Sequence, residues 1–147
     1  MILIDVTVLA YAVGEPHPLR DGCRRLLEAH GEGSIEVTTT VETLQAFTDL
    51  RLHHRPREDA TNLTRHLANA LRPIVTTRAD LERALTLMDA HPALGPSHAI
   101  LAAVALGHDA EALVSADPAF AGVAGLRWVE PGSSAADLLL APRPVPA

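Results

Sequence analysis

Three carboxylates stand where the chain could bring chemistry together. Asp5 closes a short apolar run, Ile2 to Ile4; Glu42 follows three consecutive threonines; Asp117 follows Leu113-Val114-Ser115-Ala116. Each alone has a structural reading. A glutamate in a first helical turn is favoured by the helix dipole, and an aspartate before proline is a common turn former. Asp5 is harder to explain as architecture, because a charge that ends a buried strand needs a partner. Gathered in one cleft, the three would repel one another unless a cation neutralised them. Mg²⁺ or Mn²⁺ suits that task, since both take hard oxygen ligands and leave positions open for water and phosphate. Thr7 and Ser115 lie two residues from Asp5 and Asp117, where a hydroxyl can bond a carboxylate or a phosphate, or simply cap a turn.

The elements that must position these residues follow from periodicity and punctuation. Ile2 to Ile4 is too short and too apolar for a helix and reads as a buried strand. Thr7 to Val13 forms a brief helix before Gly14-Glu15-Pro16. Pro18 opens a helix to about His30, which Gly31 stops. Ser34 to Thr39 reads as a second strand, and Thr40 caps a helix through about Leu52. Pro56 opens a helix with Leu63, Leu67 and Leu71 on one stripe, and Pro73 to Thr76 is a short third strand. Thr77 and Asp80 resemble a capping box with aspartate in the usual glutamate or glutamine position. Their helix ends near His91-Pro92, and a nearly all-apolar one spans His98 to Leu106. Ala112 to Ser115 and Leu126 to Val129 supply two more strands.

Strands alternating with helices at these spacings predict a three-layer α/β fold with a largely parallel sheet of about four to five strands. In such sheets ligands gather at the carboxyl ends of the strands, which is where Asp5, Glu42 and Asp117 fall. Residues 1–131 read as one domain, and 132–147, rich in Pro, Ala, Ser and Gly, as a frayed tail.

Composition narrows the function classes. The chain has 147 residues and a formal net charge of −6, which disfavours binding nucleic acid by bulk electrostatics. A nuclease remains open, because it can collect carboxylates around cations and grip phosphates with a few local arginines. All 12 basic residues are arginine and none is lysine. Arg51, Arg55 and Arg57, around His53-His54, form one candidate phosphate grip; a solvated helix face is the alternative. Aromatic residues make up only 3%, so base stacking is not the main grip. A single cysteine, Cys23, excludes an internal disulfide. No apolar run approaches the roughly 20 residues of a membrane span, and the N-terminus lacks a basic n-region. A cytoplasmic location is expected.

Four segments in order carry a family resemblance. Ile4-Asp-Val-Thr-Val-Leu9, Thr38 to Phe47 with Glu42 as its acid, Leu94 to Ala103, and Leu113-Val-Ser-Ala-Asp-Pro-Ala-Phe120 with Ser115 and Asp117 in register resemble the four motifs of PIN-domain ribonucleases of the bacterial VapC toxin type. The resemblance runs from Met1 to about Pro131. It implies a PIN-like sheet flanked by helices, homodimerisation, and Mg²⁺- or Mn²⁺-dependent cleavage of RNA, with tRNA or ribosomal RNA loops as the expected class. It also implies a VapB-type antitoxin whose C-terminal segment crosses the active-site groove. Asp5 and Asp117 would hold the ion, with Glu42 nearby.

One position departs from the pattern. His98 stands where the third motif normally has an aspartate, immediately before Ala-Ile-Leu-Ala-Ala. Imidazole ligates Mn²⁺ but suits Mg²⁺ poorly. His98 is therefore a working ligand with a preference for Mn²⁺, a sign of lost activity, or an inactivating replacement. Lost activity would leave a PIN-fold module that only binds antitoxin or RNA. Phosphotransfer proteins also place an aspartate after the first strand, but they rely on a lysine that this chain lacks. There is no Gly-Lys phosphate loop and no Gly-x-Ser-x-Gly elbow.

Overall fold

Ile2, Leu3 and Ile4 are all fully buried, and burial on both faces is what an interior strand of a parallel sheet demands. In the computed structural model, which describes residues 1–144, this strand, β1 (Ile2–Ile4), is indeed interior. The chain continues through α1 (Val6–Val13), α2 (Arg20–Gly31), β2 (Val37–Thr38), α3 (Val41–Leu52), α4 (Arg57–Leu71), α5 (Arg78–Ala90), α6 (Pro96–Gly107), β3 (Ala112–Val114), a 3-10 turn (Pro118–Phe120), β4 (Trp128–Val129) and α7 (Ser134–Leu140). The sheet order is β2-β1-β3-β4, and every pair is parallel.

Because strand side chains alternate, the sheet divides the core in two. Ile2, Ile4, Val37, Val114 and Val129 pack with residues of α1, α2, α3, α4 and α7. Leu3 and Leu113 point the other way, into a layer with Ala84 of α5 and the buried run Leu101–Ala105 of α6. The predicted three-layer α/β fold with a parallel sheet is the one observed. The apolar sequence of α6 is explained by its position under the sheet.

Several boundaries differ from the sequence expectation. The second strand shrinks to Val37–Thr38, and the last to Trp128–Val129. Pro73 to Thr76 is not a strand: only a single bridge joins Thr40 to Ile74. Pro73 has no N–H to donate, and Arg72 before it is left-handed (φ 47°), so the chain cannot run flat along the edge. The segment expected to fray from 132 onward instead carries α7. Ser133 caps it by accepting from Ala136 N at 3.1 Å, and Ala136 and Leu139 are buried. Arg25 of α2 reaches Asp137 at 2.8 Å. Residues 145–147 of the expected tail lie outside those described.

The approach of this C-terminal segment depends on a glycine. A Cβ on Gly22 of α2 would come within 2.5 Å of Gly132 N, so backbone meets backbone where α2 passes the turn into α7. Capping is legible elsewhere. Thr40 accepts from Thr43 N at 3.2 Å, and Asp80 completes the capping box with Thr77, showing that the shorter acid reaches as well.

Candidate active site

The parallel register places Ile4 opposite Val114, so Asp5 and Ser115 leave the sheet side by side at its carboxyl edge. Asp5 occupies the N-cap position of α1, yet its side chain makes no cap bond. The carboxylate turns aside, and its Oδ2 accepts from Ser115 Oγ at 2.7 Å and from Thr7 Oγ1 at 3.2 Å. Asp5 is 3% exposed. Its Oδ1 accepts no hydrogen bond among the described residues and is not sealed from solvent, leaving one oxygen for a ligand.

Ser115, fully buried, serves both acids, because its Oγ also accepts from Asp117 N at 3.0 Å. Thr7 plays a parallel part, with Oγ1 accepting from Ala116 N at 3.0 Å. The hydroxyls of Thr7 and Ser115 therefore tie the first strand's exit to the third strand's exit. Asp117 combines a structural role with an open one. Its Oδ1 accepts from Ala119 N at 2.9 Å and caps the 3-10 turn, while its Oδ2 faces His98 Nε2 at 3.5 Å.

His98 sits in the first turn of α6, its ring against Phe120 with centroids 4.7 Å apart. Its Nε2 lies 3.9 Å from Asp5 Oδ2 as well as 3.5 Å from Asp117 Oδ2. Among the described residues no arginine comes within salt-bridge distance of either aspartate. The structure thus groups Asp5, Asp117 and His98, supported by Thr7 and Ser115. Glu42 stays outside this group. It is exposed in the first turn of α3, with Oε2 accepting from Thr76 Oγ1 at 2.7 Å, and it makes no hydrogen bond or ion pair with the other three.

No three His, Cys, Asp or Glu side chains among the described residues are drawn tightly enough to enclose an ion. The donor chemistry nevertheless suits a divalent metal: two carboxylates, each with an unshared oxygen, converge with one imidazole at the edge where the sheet presents its ligands.

The PIN domain family profile matches residues 2–126. The chain belongs to the PIN-domain family. It is 43% identical over 145 residues to Ribonuclease VapC7 of Mycobacterium tuberculosis, covering 97% of this chain and 100% of that one. It is 34% identical to Ribonuclease VapC23 of the same organism over 98 residues, 65% of this chain and 75% of that one. In fold it is similar to the structure titled VapBC2 from Rickettsia felis bound to a promoter DNA fragment, with TM-score 0.71, 16% identity, and 88% of this chain against 98% of that one. A toxin–antitoxin complex from Klebsiella pneumoniae gives TM-score 0.66 at 20% identity, covering 86% and 95%.

Two further features of this PIN domain bear on the site. Three residues that sequence reasoning did not single out hold it in place. Trp128 Nε1 donates to Ser115 O at 2.9 Å, Thr39 Oγ1 donates to Ile4 O at 2.7 Å, and Thr76 holds Glu42. The run Thr38-Thr39-Thr40 was a legible signal, since successive hydroxyls after a strand must serve different backbone partners. Trp128 carried no local signal beyond being the chain's single tryptophan.

The candidate arginines lie elsewhere. Along α3, Arg51 lies about 15 Å from the helix's first residue, Val41. Arg51 Nε is bound to Asp59 Oδ1 at 2.7 Å, and this hydrogen bond holds the Asp59 carboxyl below its ordinary range. Arg55 and Arg57 are exposed and form no ion pair among the described residues. Arg51 and Arg55 border a cleft of about 490 Å³ whose apolar walls include Ala10, Val13, Phe47 and Leu50.

Proposed function

We propose that this chain is a divalent-metal-dependent endoribonuclease, the toxin component of a VapBC-type toxin–antitoxin pair. The observation that carries the proposal is the convergence of Asp5 and Asp117, tied by Thr7 and Ser115, at the carboxyl edge of a PIN-fold sheet. Near-complete alignment with a VapC ribonuclease supports the activity.

The chain's own groups divide the work. Asp5 Oδ1 and Asp117 Oδ2 would hold the ion, Mg²⁺ or Mn²⁺. When bound, such an ion would supply charge neutralisation at the phosphate and a lowered pKa for the attacking water. Ser115 and Thr7 keep the Asp5 carboxylate oriented while its other oxygen is used. Glu42, exposed in the first turn of α3 and bonded by Thr76, would accept a hydrogen bond from water approaching the site. Burial of Asp5 keeps the local dielectric low, which strengthens its hold on a cation. Hydrolysis would leave 5′-phosphate and 3′-hydroxyl ends.

RNA from tRNA or ribosomal loops is the expected substrate. Arg55 and Arg57 are the free phosphate contacts of the candidate arginine group; Arg51 is committed to Asp59 and shapes the cleft wall instead. A VapB-type antitoxin is the expected partner, supported by the likeness in fold to a toxin–antitoxin complex from Klebsiella pneumoniae and to VapBC2 from Rickettsia felis. The exposed Leu81 and Leu85, one turn apart on α5, support a homodimer. No helix among the described residues is long and apolar enough to cross a membrane, and a cytoplasmic site of action agrees with a cellular RNA target. The nuclease unit extends past residue 131, through Leu140, since α7 packs on α2.

The position of His98 between the two aspartates favours one second reading, a silenced nuclease that retains only binding. Cleavage of total bacterial RNA with Mn²⁺ or Mg²⁺ separates the two, using the wild type, His98→Asp and Asp5→Ala. Cleavage by the wild type that Asp5→Ala abolishes supports the nuclease. Cleavage by His98→Asp alone supports the silenced form, and cleavage unaffected by Asp5→Ala overturns the site.

A further inference from the structure

The cleft of about 490 Å³ sets opposite charges across an apolar gap. α1 and the turn after it supply Ala10, Val13 and Glu15; α3 and the turn after it supply Leu50, His54 and Arg55. Glu15, His54 and Arg55 are exposed, and none forms an ion pair among the described residues. A carboxylate and a guanidinium that line one cleft without meeting leave room for a ligand with an anionic end and a hydrogen-bond-donating end. Leu50, 47% exposed, offers that ligand an apolar surface. The volume lies within the roughly 300–1,000 Å³ of small-ligand sites. The cleft is also close to the acids. Asp5 is the N-cap of α1, so Ala10 and Val13 lie about 8 and 12 Å farther along that helix. A base one or two nucleotides from a phosphate held at Asp5 and Asp117 reaches it.

We propose that this cleft is a guanine-reading subsite, in which Glu15 takes the base and Arg55 its phosphate. The inference rests on the ribonuclease reading above and names what the substrate strand presents beside the cut. A carboxylate is an unfavourable neighbour for a polyanion unless donors face it. Among the four RNA bases only guanine has two adjacent donors on its Watson–Crick edge, the ring N1–H and the exocyclic amine. The two oxygens of one carboxylate accept both. Adenine and cytosine set an acceptor beside their amine, and uracil flanks its single N–H with carbonyls, so each would point an acceptor at Glu15. Selection by edge pairing does not depend on stacking, in keeping with an aromatic content of 3%. Arg51 is bound to Asp59, which leaves Arg55 for the phosphate.

The test is nucleotide binding by the 147-residue chain without added metal, followed by amide shifts in NMR, with GMP, IMP, AMP, CMP and UMP as probes. GMP should shift the amides of Ala10, Val13 and Leu50 and bind at least about tenfold more tightly than AMP, CMP or UMP, the discrimination of one bidentate pair. IMP, which lacks the exocyclic amine, should fall between. Glu15→Gln should erase the preference for GMP, whereas Arg55→Ala should weaken all five nucleotides about equally. Both positions are exposed, and circular dichroism checks the fold of each variant. Equal affinities in the wild type, or a GMP preference that survives Glu15→Gln, overturn the subsite. Shifts of those amides by a leucine-rich helical peptide, or on dilution of the protein alone, with none caused by the nucleotides, assign the cleft to a protein partner or a second copy and overturn it too. Mapping the cut ends of total bacterial RNA in Mn²⁺ separates this inference from the reading it rests on. Cleavage with no guanine enrichment near the cut overturns the subsite and leaves the nuclease. Guanine-selective binding by a chain that cleaves no RNA supports the subsite and overturns the nuclease reading.

Discussion

Ser115→Ala is the sharpest probe of how the acidic site is built. The Ser115 hydroxyl is fully buried, donates to Asp5 Oδ2 at 2.7 Å and accepts from Asp117 N at 3.0 Å. A hydrogen bond to a charged group contributes about 1.5–3 kcal/mol, and an abandoned buried partner adds a desolvation cost. Thr7 remains as a second donor to the same Asp5 oxygen, at 3.2 Å, so the loss is not total. The expected destabilisation is about 2–3 kcal/mol, which for a chain of this size lowers Tm by roughly 5–10 °C. The assay is urea unfolding of the wild type, Ser115→Ala, Asp5→Asn and the double variant, read as a double-mutant cycle. A coupling energy of about 1.5 kcal/mol or more is expected, because in Asp5→Asn the serine no longer meets a charge. Coupling below about 0.5 kcal/mol would refute the claim that this hydroxyl holds the carboxylate.

Four further outcomes follow from the same contacts. Trp128→Phe, which removes the N–H bonded to Ser115 O together with part of the indole ring, should weaken Mn²⁺ binding severalfold while far-ultraviolet dichroism stays unchanged; equal affinity in calorimetry would show that the tether is irrelevant to the site. Leu139→Ala should cost about 2–4 kcal/mol, as for a buried leucine, and a cost under about 0.5 kcal/mol in urea unfolding would mean that α7 does not belong to the core. The Asp80 pKa is lowered chiefly by the Thr77 backbone hydrogen bond, so Asp80 adds stability above its unfolded pKa of about 3.9 that is lost as pH falls through the lower folded value; Asp80→Asn should remove that part of the acid-side slope between pH 5 and 2. Burial pushes the Cys23 thiol up to about 11, so a thiol reagent at pH 8 should label it only as fast as the chain opens, and rapid labelling of the folded protein would contradict its position in the core.

Much of the site was readable one residue at a time. Asp5 stood out because a charge follows three apolar residues, and the parallel register then delivered it to the sheet's carboxyl edge. Asp117 was ambiguous between cap and ligand; one of its oxygens caps the 3-10 turn through Ala119 N and the other faces His98. Glu42 was expected with the other acids because it occupies an equivalent place after a strand. Thr76, 34 residues away, donates to its Oε2, and no local pattern announces such a bond.

The sequence by itself determined the element order, the parallel α/β class, the caps at Thr40 and Thr77, and the family motifs. These depend on periodicity and on side chains bonding backbone within one turn, so a few adjacent residues decide them. Only the tertiary structure decided that Ser115 serves both aspartates, that Trp128 anchors Ser115, and that Arg51 is spent on Asp59. It also decided that the Pro- and Ala-rich end forms a helix against α2, where Gly22 lets Gly132 approach. The bond from Ser115 to Asp5 joins residues 110 apart in sequence. Such pairings are set by how the sheet orders its strands and how helices pack across it, and a local stretch of sequence does not contain that information.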